Sequence, residues 1–116
     1  MITGFLLKVK KEGPESCNCH DEAEVDYHLW LADDATDDRS EAMVVEVSPR
    51  ERPDHTGWTL AKLQGFVKQH AKIRISGWLM WDQEHPEQLG KTRASLWEVH
   101  PIHRIEVFAR GKWVTL

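Results

Sequence analysis

The chain has 116 residues, of which 41% are hydrophobic and 29% charged, and its formal net charge is −4. That length predicts one domain with one hydrophobic core, and no apolar run approaches the roughly 20 residues of a membrane-spanning helix. A net negative charge argues against tight binding of duplex DNA, which depends on Lys and Arg contacts to phosphates. A local basic patch at Lys8, Lys10 and Lys11 stays compatible with that charge.

The first half of the chain predicts three strands. Residues 3–13 alternate apolar Phe5, Leu7 and Val9 with polar residues, until Gly13-Pro14 ends the strand. Residues 24–32 alternate again, and residues 42–49 form a β-branched strand that Pro49 ends. In the second of these strands Asp26, His28 and Trp30 face away from the apolar side, and in the third Glu46 does so.

The period then changes to that of a helix. Residues 58–71 space Leu60, Leu63, Phe66 and Val67 at three- and four-residue intervals, with Thr59 as N-cap. Residues 72–82 return to a strand, with Gly77 at a position suited to a bulge.

Two more strands follow the polar loop 83–91. Residues 92–101 predict a strand ended by Pro101, and residues 103–116 a last strand or hairpin with Gly111 at the turn. The order predicts a mostly β protein with one helix, an OB-like five-stranded barrel (β1-β2-β3-α-β4-β5) plus a C-terminal strand, in one domain over residues 1–116. An open α+β sheet is the alternative fold, and pairing of the edge strand 104–116 makes a homodimer an alternative to a monomer.

The first candidate site is the cysteine-rich segment GPESCNCH. Cys17, Cys19 and His20 lie within four residues, and His28 is the nearest further ligand for a zinc ion. Structural zinc sites usually combine two separated ligand pairs, and the chain has only two cysteines. The incomplete set favours a polar loop between the first two strands over a metal site, with redox chemistry as a further alternative.

The second candidate site lies on the polar faces of the strands. If the strands adjoin in a barrel, their polar side chains share one patch that can bind a divalent metal such as zinc or magnesium, or act as acid and base. Ordinary cross-strand pairing of outward polar residues is the simpler alternative. The patch consists of Asp26, His28, Glu46, Glu98 and His100.

Tryptophans and arginines supply two further hypotheses. Exposed Trp30, Trp78 or Trp97 would stack on the bases of single-stranded nucleic acid, although rings packed on the barrel are the simpler interpretation. Arg50, in the loop before the helix, could bind a phosphate or carboxylate, or else pair with acidic loops.

Several segments resemble a family of small bacterial OB-like β-barrel domains of uncharacterised function. They are GPESCNCH, DYH, EVSPR, GWLMWD with a following HP, and LWEVHPI. The resemblance implies a β-barrel and supplies no reaction. The candidate functional residues that fall in these segments are Cys17, Cys19, His20, Asp26, His28, Glu46, Arg50, Asp82, His85, Trp97, Glu98 and His100.

The sequence contains no G-x-S-x-G, P-loop, dinucleotide-binding or H-E-x-x-H motif. We therefore expect a non-enzymatic binding or accessory module of unknown ligand or protein partner, centred on Asp26, His28, Glu46 and His100 with Trp30 beside them. A metal-dependent hydrolase of phosphodiesters, with Arg50 at the phosphate, is the first alternative, and single-strand binding is the second. The start of the sequence predicts a cytoplasmic protein, or a secreted or periplasmic one that has lost its leader.

Overall fold

Six strands and one helix make up the regular structure of the protein. A computed structural model describes residues 1–12, 25–36 and 38–116. The strands and helix in chain order are β1 (Ile2–Lys11), β2 (Tyr27–Ala32), β3 (Met43–Val47), α1 (Leu60–Gln69), β4 (Lys72–Trp81), β5 (Trp97–Ala109) and β6 (Lys112–Thr115). No helix in the described ranges is long and apolar enough to cross a bilayer.

Five of the strands close into a barrel. β3, β2, β1, β4 and β5 pair antiparallel in that order, and the ring closes where β3 and β5 run parallel at Val44 opposite Glu98 and Val45 opposite Val99. β6 pairs only with β5 and lies outside the ring. The predicted OB-like order, with the helix between the third and fourth strands, is confirmed.

The interior is filled by the alternating apolar side chains of all five strands together with the helix. Leu29, Val45, Ile75 and Ile105 are fully buried there, and the helix contributes Leu63 and Phe66. In β1 the expected alternation is wrong, because the pairing with β2 shifts register between Leu6 and Lys8. Leu6 therefore enters the core and Leu7 packs on the outside of the barrel.

The helix begins at the predicted N-cap and ends two residues before the end of the predicted segment. The Thr59 side chain accepts a hydrogen bond from the backbone N–H of Lys62, which satisfies one of the free donors of the first turn. His70 ends the helix in the left-handed conformation, with φ of 49°.

β5 is longer than predicted. It continues through Pro101 to Ala109 and then turns at Arg110 and Gly111 into β6. Pro101 is tolerated because the pairing with β4 is irregular between Gly77 and Leu79, where the bulge was expected.

Candidate functional site

A cluster of acidic and imidazole side chains lies on the outer face of the barrel, where β2, β3 and β5 adjoin. His28 and Glu46 are direct cross-strand partners in β2 and β3. The parallel β3–β5 pairing places Glu98 one strand further along, and His100 follows on the same face. With Asp26, just before β2, they form what we call the outer-face cluster.

Each member of the outer-face cluster is held in place by the core residues beside it in the strand. Glu46 lies between the fully buried Val45 and Val47, and His28 and Glu98 precede the buried Leu29 and Val99. Because successive strand residues point to opposite faces, anchoring of the apolar neighbours in the barrel fixes the backbone that carries the polar side chains.

The carboxylates of the cluster are buried and surround the His100 ring. Asp26 is 2% exposed, Glu46 4% and Glu98 3%. His100 Nδ1 lies 2.8 Å from Glu46 Oε2 and 3.5 Å from Glu98 Oε1, and its Nε2 lies 3.6 Å from Asp26 Oδ2. The short contact between Nδ1 and Glu46 departs from ideal hydrogen-bond geometry, and the closeness of ring and carboxylate still favours the charged imidazole.

His28 connects the cluster to a further carboxylate outside it, that of Glu12. Its Nδ1 lies 3.0 Å from Glu12 Oε1, while its Nε2 contacts Glu46. When Glu12 accepts the Nδ1 proton, Nε2 of the neutral ring presents its lone pair to the cluster. A histidine held in this way by a carboxylate is the usual arrangement around a protein-bound metal.

Burial and mutual repulsion shift the protonation of the cluster. Burial and the neighbouring Glu98 raise the pKa of Glu46 to about 7, against the opposing effect of the two imidazoles. Burial lowers the pKa of His100, but Glu46, Glu98 and Asp26 outweigh it and raise the value to about 10. The cluster therefore retains protons at neutral pH and attracts positive charge.

Two open cavities border the outer-face cluster. One, of about 480 Å³, is lined by Asp26 and His100 together with Arg50, Trp78 and His103. The other, of about 340 Å³, is lined by the remaining cluster members and by Met80, Trp81 and the loop that starts at Asp82. Since His100 borders both cavities, a ligand atom in either one can approach it.

The sequence-predicted residues divide into three groups. The structure brings together Asp26, His28, Glu46, Glu98 and His100, and it places Arg50 in the adjoining cavity. Trp30, expected to be exposed beside them, is only 6% exposed because it packs with Leu7, Ala42 and Val44. Cys17, Cys19 and His20, the other predicted metal ligands, lie outside the described residues.

The other two predicted stacking residues are accessible. Trp78 is 65% exposed and meets His103 edge-on at 5.6 Å between ring centroids. Trp97 is 44% exposed and packs edge-on against Trp81. Asp82 and His85, in the shared sequence segments, lie on the loop that borders the smaller cavity.

Two contributors to the site were missed by the sequence interpretation. Glu12 follows β1 and reaches His28 from the neighbouring strand, a contact that the register of β1 against β2 would have indicated. Arg93 lies in the loop before β5, where it is buried and pairs with Asp82 at 3.1 Å and Glu98 at 3.4 Å. Nothing in the local sequence pattern distinguishes it from an exposed loop arginine.

Comparison with protein-family models, curated proteins and solved structures gives no significant match. The resemblance to small bacterial OB-like domains thus stays a prediction, and the function is argued from the geometry of the site.

Proposed function

We propose that the protein is a metal-binding OB-like module whose outer-face cluster holds one divalent cation. Asp26, Glu46 and His100 are the primary ligands, and His28 is the fourth. The observation that carries the proposal is the meeting of three buried carboxylates and two imidazoles on one rigid face of the barrel.

The spacing of the ligand atoms fits a cation. One ligand atom from each of Asp26, Glu46 and His100 lies within 4.8 Å of the other two. Nitrogen and oxygen ligands bind first-row metals at about 2.0–2.2 Å, so ligand atoms around one ion are separated by roughly 3–4 Å.

The donor types indicate which cations to expect. Two imidazoles with carboxylates suit zinc, iron(II) and manganese(II), whereas magnesium and calcium prefer oxygen ligands alone. Without a metal, the buried carboxylates limit their mutual repulsion by retaining protons. A bound cation would replace these protons, because its positive charge offsets the same repulsion.

The test is a metal titration of chelator-treated, desalted protein by calorimetry, using Zn²⁺ and Mn²⁺. Stoichiometric binding is expected, and Glu46→Gln or His100→Gln should weaken it at least tenfold. Matched controls are Glu41→Gln and His70→Asn, which alter an exposed carboxylate and an exposed imidazole away from the cluster. Asn tolerates the left-handed conformation of position 70. The same affinity in all four variants would show that the cluster is not the binding site.

Hydrolysis of phosphate esters is a second candidate function, favoured by Arg50. This exposed guanidinium lines the larger cavity with Asp26 and His100, where it would bind a phosphate oxygen. A cation held by Asp26, Glu46 and His100 would supply the Lewis acidity that activates water. Attack of water on phosphorus would break the ester P–O bond, and the proton of the water would leave with the alcohol.

An assay with bis(4-nitrophenyl) phosphate distinguishes the hydrolase from a binding module. Metal-dependent release of nitrophenol is expected from the wild type, and Arg50→Gln should reduce the rate while leaving metal affinity unchanged. Metal binding without turnover would leave the binding module as the function and exclude the hydrolysis of this ester class.

A further inference from the structure

A third cavity lies beside the outer-face cluster and has the opposite electrostatic character. It measures about 240 Å³ and borders both His28 and Trp30. Four cationic residues line it against one acidic residue, Glu12. The cations are Lys8, Lys10, Arg39 and Arg93.

The folding of β1 and β2 explains why these cations converge. Lys8 is the cross-strand partner of Trp30, and Lys10 is the partner of His28. Arg39 follows β2 in a short 3₁₀ helix and places its guanidinium carbon 4.8 Å from the centre of the Trp30 ring. Lys8 Nζ lies 5.9 Å from the same centre, so the indole holds two flexible cations at the cavity.

Two buried N–H donors at this cavity have no acceptor among the described residues. They are Nε1 of Trp30 and Nε of Arg93, and both side chains are more than nine-tenths buried. Buried polar atoms are rarely left without a partner. Both nitrogens have almost no accessible surface, so an anion in the cavity contacts the charged groups around them and not these two donors directly.

We infer that this cavity, lined by Lys8, Lys10, Trp30, Arg39 and Arg93, is a binding site for a phosphate group. A phosphate carries several acceptor oxygens, which matches the ammonium and guanidinium groups that line the cavity. The volume accommodates a group of this size together with ordered water. The site does not require the cation of the outer-face cluster, since none of its donors belongs to that cluster.

The acidic residue at the rim does not oppose the inference. The Glu12 carboxylate is engaged by His28 Nδ1 at 3.0 Å, and that hydrogen bond, opposed by burial, lowers the pKa of Glu12. The carboxylate of Glu12 is thus paired with the imidazole. Arg93 is paired with Asp82 and Glu98, which leaves Lys8, Lys10 and Arg39 to face an incoming anion.

The test uses chelator-treated protein, so that phosphate cannot bind through a metal. Inorganic phosphate, adenosine 5′-monophosphate and adenosine are titrated separately, and the Trp30 indole N–H is followed by ¹H–¹⁵N spectroscopy. Trp30→Phe assigns that signal among the six tryptophans. Binding of both phosphates means that the group alone is recognised, and binding of the nucleotide only means that the ligand is a phosphate ester. Binding of adenosine as tight as that of its phosphate, or no shift of the Trp30 signal with either phosphate, overturns the inference.

Charge variants separate a specific site from general attraction. Lys8→Gln and Arg39→Gln each remove one charge-assisted contact and should weaken phosphate binding about tenfold or more. Lys62→Gln and Lys68→Gln remove the same charge from the exposed side of α1 and should leave binding unchanged. Equal weakening by both pairs of variants would reduce the effect to net charge and refute the site. Failure of metal binding, in contrast, would leave these results unaffected.

Discussion

Replacement of Glu46 by Gln should stabilise the metal-free protein at pH 8 while destroying its response to metal. The pKa of Glu46 is raised from 4.5 to about 7, and each pKa unit corresponds to about 1.4 kcal/mol. Ionising this carboxyl therefore costs the folded state roughly 3 kcal/mol more than the unfolded chain. The folded-state pKa of Glu46 is the higher one. The contribution of its protonated carboxyl to the free energy of unfolding is therefore fully present below pH 4.5 and is lost as the pH rises through about 7.

The amide that Glu46→Gln introduces carries no charge at any of these pH values, so the variant avoids this loss. At about 4 °C per kcal/mol for a domain of this size, Glu46→Gln should raise the melting temperature of chelator-treated protein at pH 8 by up to roughly 10 °C. At pH 5 the wild-type carboxyl is mostly protonated, and the gain should be small.

Metal should remove most of this difference between the wild type and the variant. A cation at a hundred times its dissociation constant stabilises the wild type by about 2.7 kcal/mol, which is again roughly 10 °C. If the loss of one ligand weakens binding a hundredfold, the same metal concentration stabilises the variant by only about 0.4 kcal/mol.

Differential scanning calorimetry measures the melting temperature of each protein under four conditions, namely pH 5 and pH 8, each with chelator or with Zn²⁺. Glu41→Gln is the matched control. Two results would refute the reasoning. A variant that melts lower than the wild type in chelator by the same amount at both pH values shows that repulsion in the cluster does not limit stability. A variant that gains as much from metal as the wild type shows that Glu46 is not a ligand.

Three further substitutions test the framework that holds the site. Gly77→Ala should destabilise the barrel by several kcal/mol in urea denaturation, since the added Cβ meets the Pro101 carbonyl oxygen and neighbouring atoms of β5; an unchanged midpoint would show that the bulge yields. Thr59→Ala should cost about 1 kcal/mol through loss of the helix N-cap and leave metal affinity unchanged by calorimetry, whereas weaker metal binding would contradict the separation of helix and site. Arg93→Met should cost up to about 3–5 kcal/mol in the same denaturation assay, because it removes the guanidinium that pairs with the buried Glu98 and leaves only the His100 imidazole beside that carboxylate. A cost below about 1 kcal/mol would mean that Arg93 does not stabilise Glu98.

The alternation of polar and apolar residues was enough to predict much of the site. His28 and Glu46 sit in strands whose apolar neighbours all enter the core, so the two side chains had to share the outer face once β2 and β3 paired. The face of Glu98 was harder to predict. Ala94 and Leu96 precede it at two-residue spacing, which is the pattern of a strand face that points into the core. The parallel closure of β3 on β5 sets its face, and that contact joins strands that lie far apart in the sequence.

The remaining features depend on contacts that no local pattern encodes. Trp30 has the alternation of an exposed residue, but a second apolar group on the outside of the barrel covers it. β5 continues past Pro101 because its partner strand bulges opposite that residue. Arg93 is buried because its loop folds back onto Glu98, which follows from the tertiary structure and not from the loop sequence.

The closure of the barrel is also what assembles the outer-face cluster. β3 and β5 adjoin through Val44 and Val45, and the same pairing brings the carboxylates of Glu46 and Glu98 onto neighbouring strands. The like charges repel, so the cluster opposes closure, while burial of Val45 and Val99 on the inner side favours it. The side chains of the cluster therefore keep their positions because the core holds their backbone, with or without a ligand. If the proposed metal function holds, a site built in this way would select its cation by fixed geometry and charge, unlike one on a loop that folds around its metal.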